Sequence, residues 1–101
     1  MIIIQTTIDE KRKAKNLINF LLKTNKIACG TFNKIQSSYK WKQEVVEESE
    51  FEISLYTKES LMQEVVEIVK QKHSYELPKI TVLEPLFTLP EYENWVNSST
   101  T

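Results

Sequence analysis

KWKQEVVEESEFEISLY, residues Lys40 to Tyr56, is the stretch whose reading decides the fold. Its second half alternates. Phe51, Ile53 and Leu55 fall on one side, and Glu50, Glu52, Ser54 and Tyr56 on the other. A period of two with one apolar side is a strand laid against a core. Upstream, Ile27 to Trp41 reads as a long strand, built on Ile27, Thr31, Phe32, Ile35, Tyr39 and Trp41. The only residues left for a turn are Lys42 and Gln43, which lack the usual Asn-Gly or Asp-Gly signal. The stretch is therefore one arm of a long antiparallel hairpin. Gly30, the only glycine, lies inside the other arm and marks a bulge or a close approach.

Working outward, Met1–Gln5 is a β-branched run that predicts a buried strand. Thr7 and Glu10 have capping-box spacing and predict a helix start. Ala14, Leu17, Ile18, Leu21 and Leu22 give that helix an apolar stripe. Lys11, Arg12, Lys13 and Lys15 crowd its first turns, where each cation costs about a few tenths of a kcal/mol against the macrodipole. They read as a solvated face rather than a binding patch. A second helix is expected from Ser60 to Lys72, with Ser60 and Gln63 as a capping pair and Leu61, Val65, Ile68 and Val69 inward. Ile80–Leu83 is the last strand, stopped by Pro85. Thr88, Pro90 and Glu91 predict a short helix to Val96 carrying Tyr92 and Trp95, then a frayed tail from Asn97 to Thr101.

The order is strand, helix, strand, strand, helix, strand, short helix. That is the α+β ferredoxin-like split βαβ pattern: an antiparallel sheet with both long helices on one face. All 101 residues are read as a single domain. Nothing in the sequence covers the other sheet face, and the hairpin strands are long for so small a domain. Both features predict self-association through the sheet.

Composition narrows the function classes. A net charge of −1 argues against a general nucleic-acid binder. Ile2-Ile3-Ile4 is too short for a signal peptide or a membrane span, so the cytoplasm is the expected location. One cysteine, Cys29, allows no internal disulfide and no Cys-rich zinc site, and reads as a small buried hydrophobe. Glu44, Glu47, Glu48, Glu50 and Glu52 could ligate a hard cation. More often such a run is a solvated strand face or pairs with lysines, here Lys34, Lys40 and Lys42 across the hairpin, and no Asp-rich loop accompanies it. An enzyme is disfavoured, because the one histidine and one cysteine are far apart and no acid–base pair is evident.

Ile27-Ala28-Cys29, Ser37 to Trp41, Glu44 to Glu48, Thr57, His73 to Pro78, and Tyr92 with Trp95 occur in an order and spacing that resemble the divalent-cation-tolerance family CutA. The resemblance covers nearly the whole chain. It implies a ferredoxin-like homotrimer in which the hairpin reaches neighbouring subunits, a role in divalent metal tolerance with proposed copper binding, and no established catalysis. Animal relatives are linked to membrane anchoring of acetylcholinesterase, which leaves room for a protein partner. The trimer resembles that of the PII signalling proteins, which bind small molecules between subunits.

Copper or another divalent cation is thus the expected cofactor. The copper site proposed for bacterial relatives falls here on Gln5, Lys72 and His73, of which only His73 suits a borderline metal. A histidine at a helix C-terminus is also favoured in its charged form by the macrodipole. Tyr39, Trp41 and Tyr75 are the expected ligand-cleft residues, with packing against a neighbouring subunit as the alternative for Tyr39 and Trp41. Gln43, Tyr56, Ser74 and Lys79 depart from the family pattern, standing where a glycine, a lysine, a proline and an acidic residue are usual. Three readings stand: a trimeric metal-response protein, a small-molecule sensor, and a scaffold.

Overall fold

The computed structural model describes residues 1–101. Its strands are β1 (Ile2–Ile8), β2 (Cys29–Trp41), β3 (Glu44–Thr57) and β4 (Ile80–Leu83). Its helices are α1 (Lys11–Lys23), α2 (Met62–Lys72) and α3 (Pro90–Ser98). The sheet order is β2-β3-β1-β4 with every neighbour antiparallel, the ferredoxin-like arrangement that the order of elements implied. Ile2, Ile4, Ile53 and Leu55 meet Ala14, Leu17, Ile18 and Leu21 of α1 and Val65 and Val69 of α2 in one core. Both long helices therefore cover the same sheet face. At one end of the other face, Tyr92 of α3 lies beside Cys29 and Tyr56.

The ladder explains where the sequence reading and the structure differ. β1 runs to Ile8, three residues past the expected Gln5, because Thr6, Thr7 and Ile8 pair with Ile53, Glu52 and Phe51. Thr7 is thereby held in the sheet and cannot cap. Glu10 takes the N-cap position with no side-chain bond, and Asp9 and Glu10 instead draw in Lys13, each at 3.2 Å. Ser60 lies in a 3-10 turn, Glu59–Leu61, so the second capping pair is not formed either. α3 is capped from Leu89, not Thr88, with Pro90 in its first turn as expected. The tail is docked rather than frayed. Thr100 is buried, and the Thr101 N–H donates to the Asn25 carbonyl at 3.0 Å.

At the end of α1, Asn25 takes a left-handed conformation (φ 59°), with Asn25 N–H on Leu22 O and Lys26 N–H on Leu21 O. This Schellman closure satisfies two helix-end carbonyls and turns the chain toward β2. Gly30 sits in an unbroken ladder opposite Leu55, so it is no bulge. It is a close approach: a Cβ there would lie 2.7 Å from Ile18 Cγ2.

β1 pairs with β3 only as far as Phe51. Beyond it, Ile35–Trp41 and Glu44–Glu50 run on as a two-stranded ribbon that stretches the molecule to 45 Å. Its tip is a two-residue turn with Lys42 (φ 51°) and Gln43 (φ 69°) both left-handed, the pattern of a type I′ turn. Side chains with a Cβ resist that region. Gln43→Gly is expected to stabilise the protein by about 1 kcal/mol, read as a higher urea midpoint. An unchanged midpoint in urea would show that the tip carries no strain.

Candidate functional site

Alternation in the ribbon sets the chemistry of its uncovered face. Ser37, Tyr39 and Trp41 on β2 share that face with Glu48 and Glu50 on β3, where Tyr39 sits opposite Val46 and Ser37 opposite Glu48. The loop after α2, residues 73–79, folds over beside it. Between ribbon and loop lies a groove of about 810 Å³ whose lining includes Tyr39, Trp41, Glu48, Glu50, Tyr75 and Leu77. The expected cleft residues Tyr39, Trp41 and Tyr75 are thus brought together.

The carboxylates organise the aromatics. Tyr39 Oη donates to Glu48 Oε1 at 2.6 Å, and Tyr75 Oη to Glu50 Oε2 at 2.8 Å. Ser37 Oγ donates to the other Glu50 oxygen at 2.6 Å. Glu50 is only 6% exposed, and these two hydroxyls meet its demand for donors. The Tyr39 phenol is pushed up to about 12, chiefly by its bond to Glu48. The Tyr75 phenol is raised further, by burial and then by Glu50. Both phenols stay protonated donors at neutral pH. Glu48 and Glu50 were expected only as members of an acidic run, and no ion pair joins that run to Lys34, Lys40 or Lys42. The sequence marks them only as members of that acidic run; the bonds are diagonal, Ser37 lying opposite Glu48 but bonded to Glu50, and Tyr39 opposite Val46 but bonded to Glu48.

His73 stands behind the groove, not in it. It closes α2 and lines a smaller cavity of about 260 Å³ with Ile8, Lys13, Leu17 and Lys72. Its Nε2 lies 2.8 Å from the Thr7 carbonyl oxygen and 3.1 Å from Thr6 Oγ1, and its Nδ1 accepts the Tyr75 N–H at 3.1 Å. Gln5 donates to Ser54 Oγ, and the Lys72 ammonium lies 4.1 Å from the centre of the Phe20 ring. Gln5, Lys72 and His73 are each engaged separately. No three His, Cys, Asp or Glu side chains are grouped to hold a metal ion. With both ring nitrogens of His73 already bonded, the donor set does not fit a copper centre.

Burial holds the His73 imidazole below its ordinary value of 6.5, against the opposing pull of the Thr7 bond. Desolvation outweighs the helix-end dipole that would favour the charged ring. The unfolded chain therefore takes up this proton first as pH falls. The stability involved is full above the ordinary histidine value and is lost as pH drops from there through the folded value. The urea midpoint is expected to fall as pH drops below the ordinary histidine value of about 6.5, and to fall less in His73→Asn. An equal fall in both proteins would assign the effect to other groups.

The sequence model of the family described as "CutA1 divalent ion tolerance protein" matches residues 2–99. A relative from Thermotoga maritima, "Divalent-cation tolerance protein CutA", is 34% identical over 99 residues, covering 98% of each chain. A crystal structure of Pyrococcus horikoshii CutA superposes with a TM-score of 0.95 at 30% identity, covering 100% of both chains. A structure described as "PII-like protein CutA from Nostoc sp. PCC 7120 in apo form" superposes at 0.93 with 25% identity, covering 100% of this chain and 98% of that one. With the family pattern matched from β1 to the end of α3, the chain belongs to the CutA1 divalent ion tolerance family.

Proposed function

We propose that the protein is a cytoplasmic, non-catalytic homotrimer that serves the response to divalent metal ions, copper among them, as a sensor whose ligand occupies the ribbon–loop groove. The whole chain acts as one domain. The observation that carries the reading is the groove itself, where two aromatic hydroxyls are oriented by carboxylates beside an indole. Its volume lies within the range of small-molecule sites, which combine apolar surface with a few placed polar groups. The likeness to a structure described as PII-like supports the same reading.

Self-association is supported by what one chain leaves uncovered. Val45 on the ribbon, Leu77 in the loop, and Leu86 and Phe87 between β4 and α3 are all at least 70% exposed. A two-stranded ribbon is marginal in water without a partner surface. A single free thiol, Cys29, is compatible with a reducing compartment.

Light scattering during size-exclusion chromatography is expected to give a trimer, and a monomer would overturn the assembly. A thermal-shift panel of metal salts and small metabolites tests the ligand. At least one organic compound is expected to raise the melting temperature of the wild type and not of Trp41→Ala. Cu²⁺ is expected to act equally on wild type and His73→Ala. Metal stabilisation that vanishes in His73→Ala, with no organic compound active, would replace the sensor reading by a metal site.

A further inference from the structure

We propose that His73 is the positioning residue of the groove: a neutral histidine with its proton on Nε2 that staples the 73–79 loop to β1 and so sets Tyr75 against Glu50. Hydrogen-bond roles decide the tautomer. A carbonyl oxygen only accepts, so the nitrogen 2.8 Å from Thr7 O must carry the hydrogen. A backbone N–H only donates, so the nitrogen 3.1 Å from the Tyr75 N–H must be bare. Nε2–H is the one form that satisfies both. An imidazolium would set two hydrogens against each other at Nδ1, and the other tautomer would break both bonds. Thr6 Oγ1, 3.1 Å from Nε2, accepts part of the same hydrogen.

Each bond does a different job. The bond to Thr7 ties the end of α2 to β1 across 66 residues of chain. The bond from the Tyr75 N–H to the ring two residues earlier folds the backbone in the manner of an Asx turn, just after Lys72 ends the helix. The Tyr75 ring then packs on the imidazole, with centroids 4.8 Å apart and planes at 59°. From there its hydroxyl reaches Glu50. The chain of contacts runs from Thr7 through His73 and Tyr75 to Glu50 and Ser37, joining β1, the loop and both ribbon strands. Asp9, Lys13 and Glu50 are charged groups near the ring and Lys72 lines the same small cavity; none of them is hydrogen-bonded to it. The bearing on ligand binding rests on the groove being the ligand site; the staple itself does not.

The protein has one histidine, so its imidazole nitrogens can be read without ambiguity in long-range ¹H–¹⁵N spectra. At neutral pH a pyrrole-type Nε2 and a pyridine-type Nδ1 are expected, unmoved by stoichiometric Zn²⁺. An imidazolium, the opposite tautomer, or a Zn²⁺-induced shift of Nδ1 overturns the proposal. Variants separate the two bonds. Asparagine keeps an acceptor for the Tyr75 N–H, and leucine has none. Hydrogen exchange at the Tyr75 amide is expected to quicken about tenfold in His73→Leu and to stay near wild type in His73→Asn. Equal exchange in wild type and His73→Leu overturns the turn-forming role. If His73→Leu does not fold, the tautomer measurement on the wild type still decides. A failed ligand panel with the tautomer confirmed would remove the groove reading and leave the staple standing.

Discussion

Leu55→Ala is expected to lower stability by roughly 2–5 kcal/mol, enough to remove a large part of the margin of a domain this small. Leu55 is 0% exposed near the C-terminal end of β3, between Ile4 on β1 and Gly30 on β2. Truncation removes three carbons from the layer where the sheet meets α1 and α2. The strands on either side are held by their own ladders and cannot close over the gap. Chemical denaturation at fixed protomer concentration reads the change. A loss below about 1 kcal/mol would mean that the core relaxes freely there, against the packing described.

Gly30→Val is expected to cost about 3 kcal/mol, the upper end of overpacking. The backbone is ordinary strand, so the cost comes from space alone. Ile18 Cγ2 and Cγ1 would lie 2.7 and 2.9 Å from the new Cβ, and Ile18 is buried in α1. Both are branches close to the Ile18 backbone, so the helix itself must move. Ile18→Ala makes room and nearly restores the summed volume. The pair Gly30→Val with Ile18→Ala is therefore expected to be more stable than Gly30→Val alone, with a coupling of about 1–3 kcal/mol. Additive losses would show that Gly30 is needed for something other than this contact.

These two sites differ in how far the sequence exposed them. The inward side of β3 was legible, because a period of two over Phe51, Ile53 and Leu55 admits one face. A glycine inside a strand signalled a close approach, yet what approaches is set by where α1 lies, and only packing reveals Ile18. The capping boxes misled for a related reason. Thr7, Ser60 and Thr88 have the spacing of N-caps, but Thr7 was taken by the β1 ladder, Ser60 by a 3-10 turn, and Thr88 lies one residue outside the cap. Local hydrogen-bond preferences are worth about 1 kcal/mol and yield to a sheet that pairs seven residues.

The groove was half legible. Tyr39, Trp41 and Tyr75 drew notice through type and family spacing, and the structure gathers them. Glu50 was one glutamate among five in the acidic run, with nothing local to single it out. Its burial arises because Ser37, from the other hairpin arm, and Tyr75, from a loop 25 residues on, converge on it.

By itself the sequence determined the order of elements, the inward faces, the family and the place of the hairpin turn, all of which depend on near neighbours along the chain and on short periods. Only the tertiary structure decided that His73 is spent on Thr7 and Tyr75, that the tail docks on Asn25, and that Glu50 is the anchor of the groove. Each of these turns on a polar group finding a partner far away in sequence. Hydrogen-bond satisfaction in a buried place is a property of the assembled fold, and no local pattern encodes it.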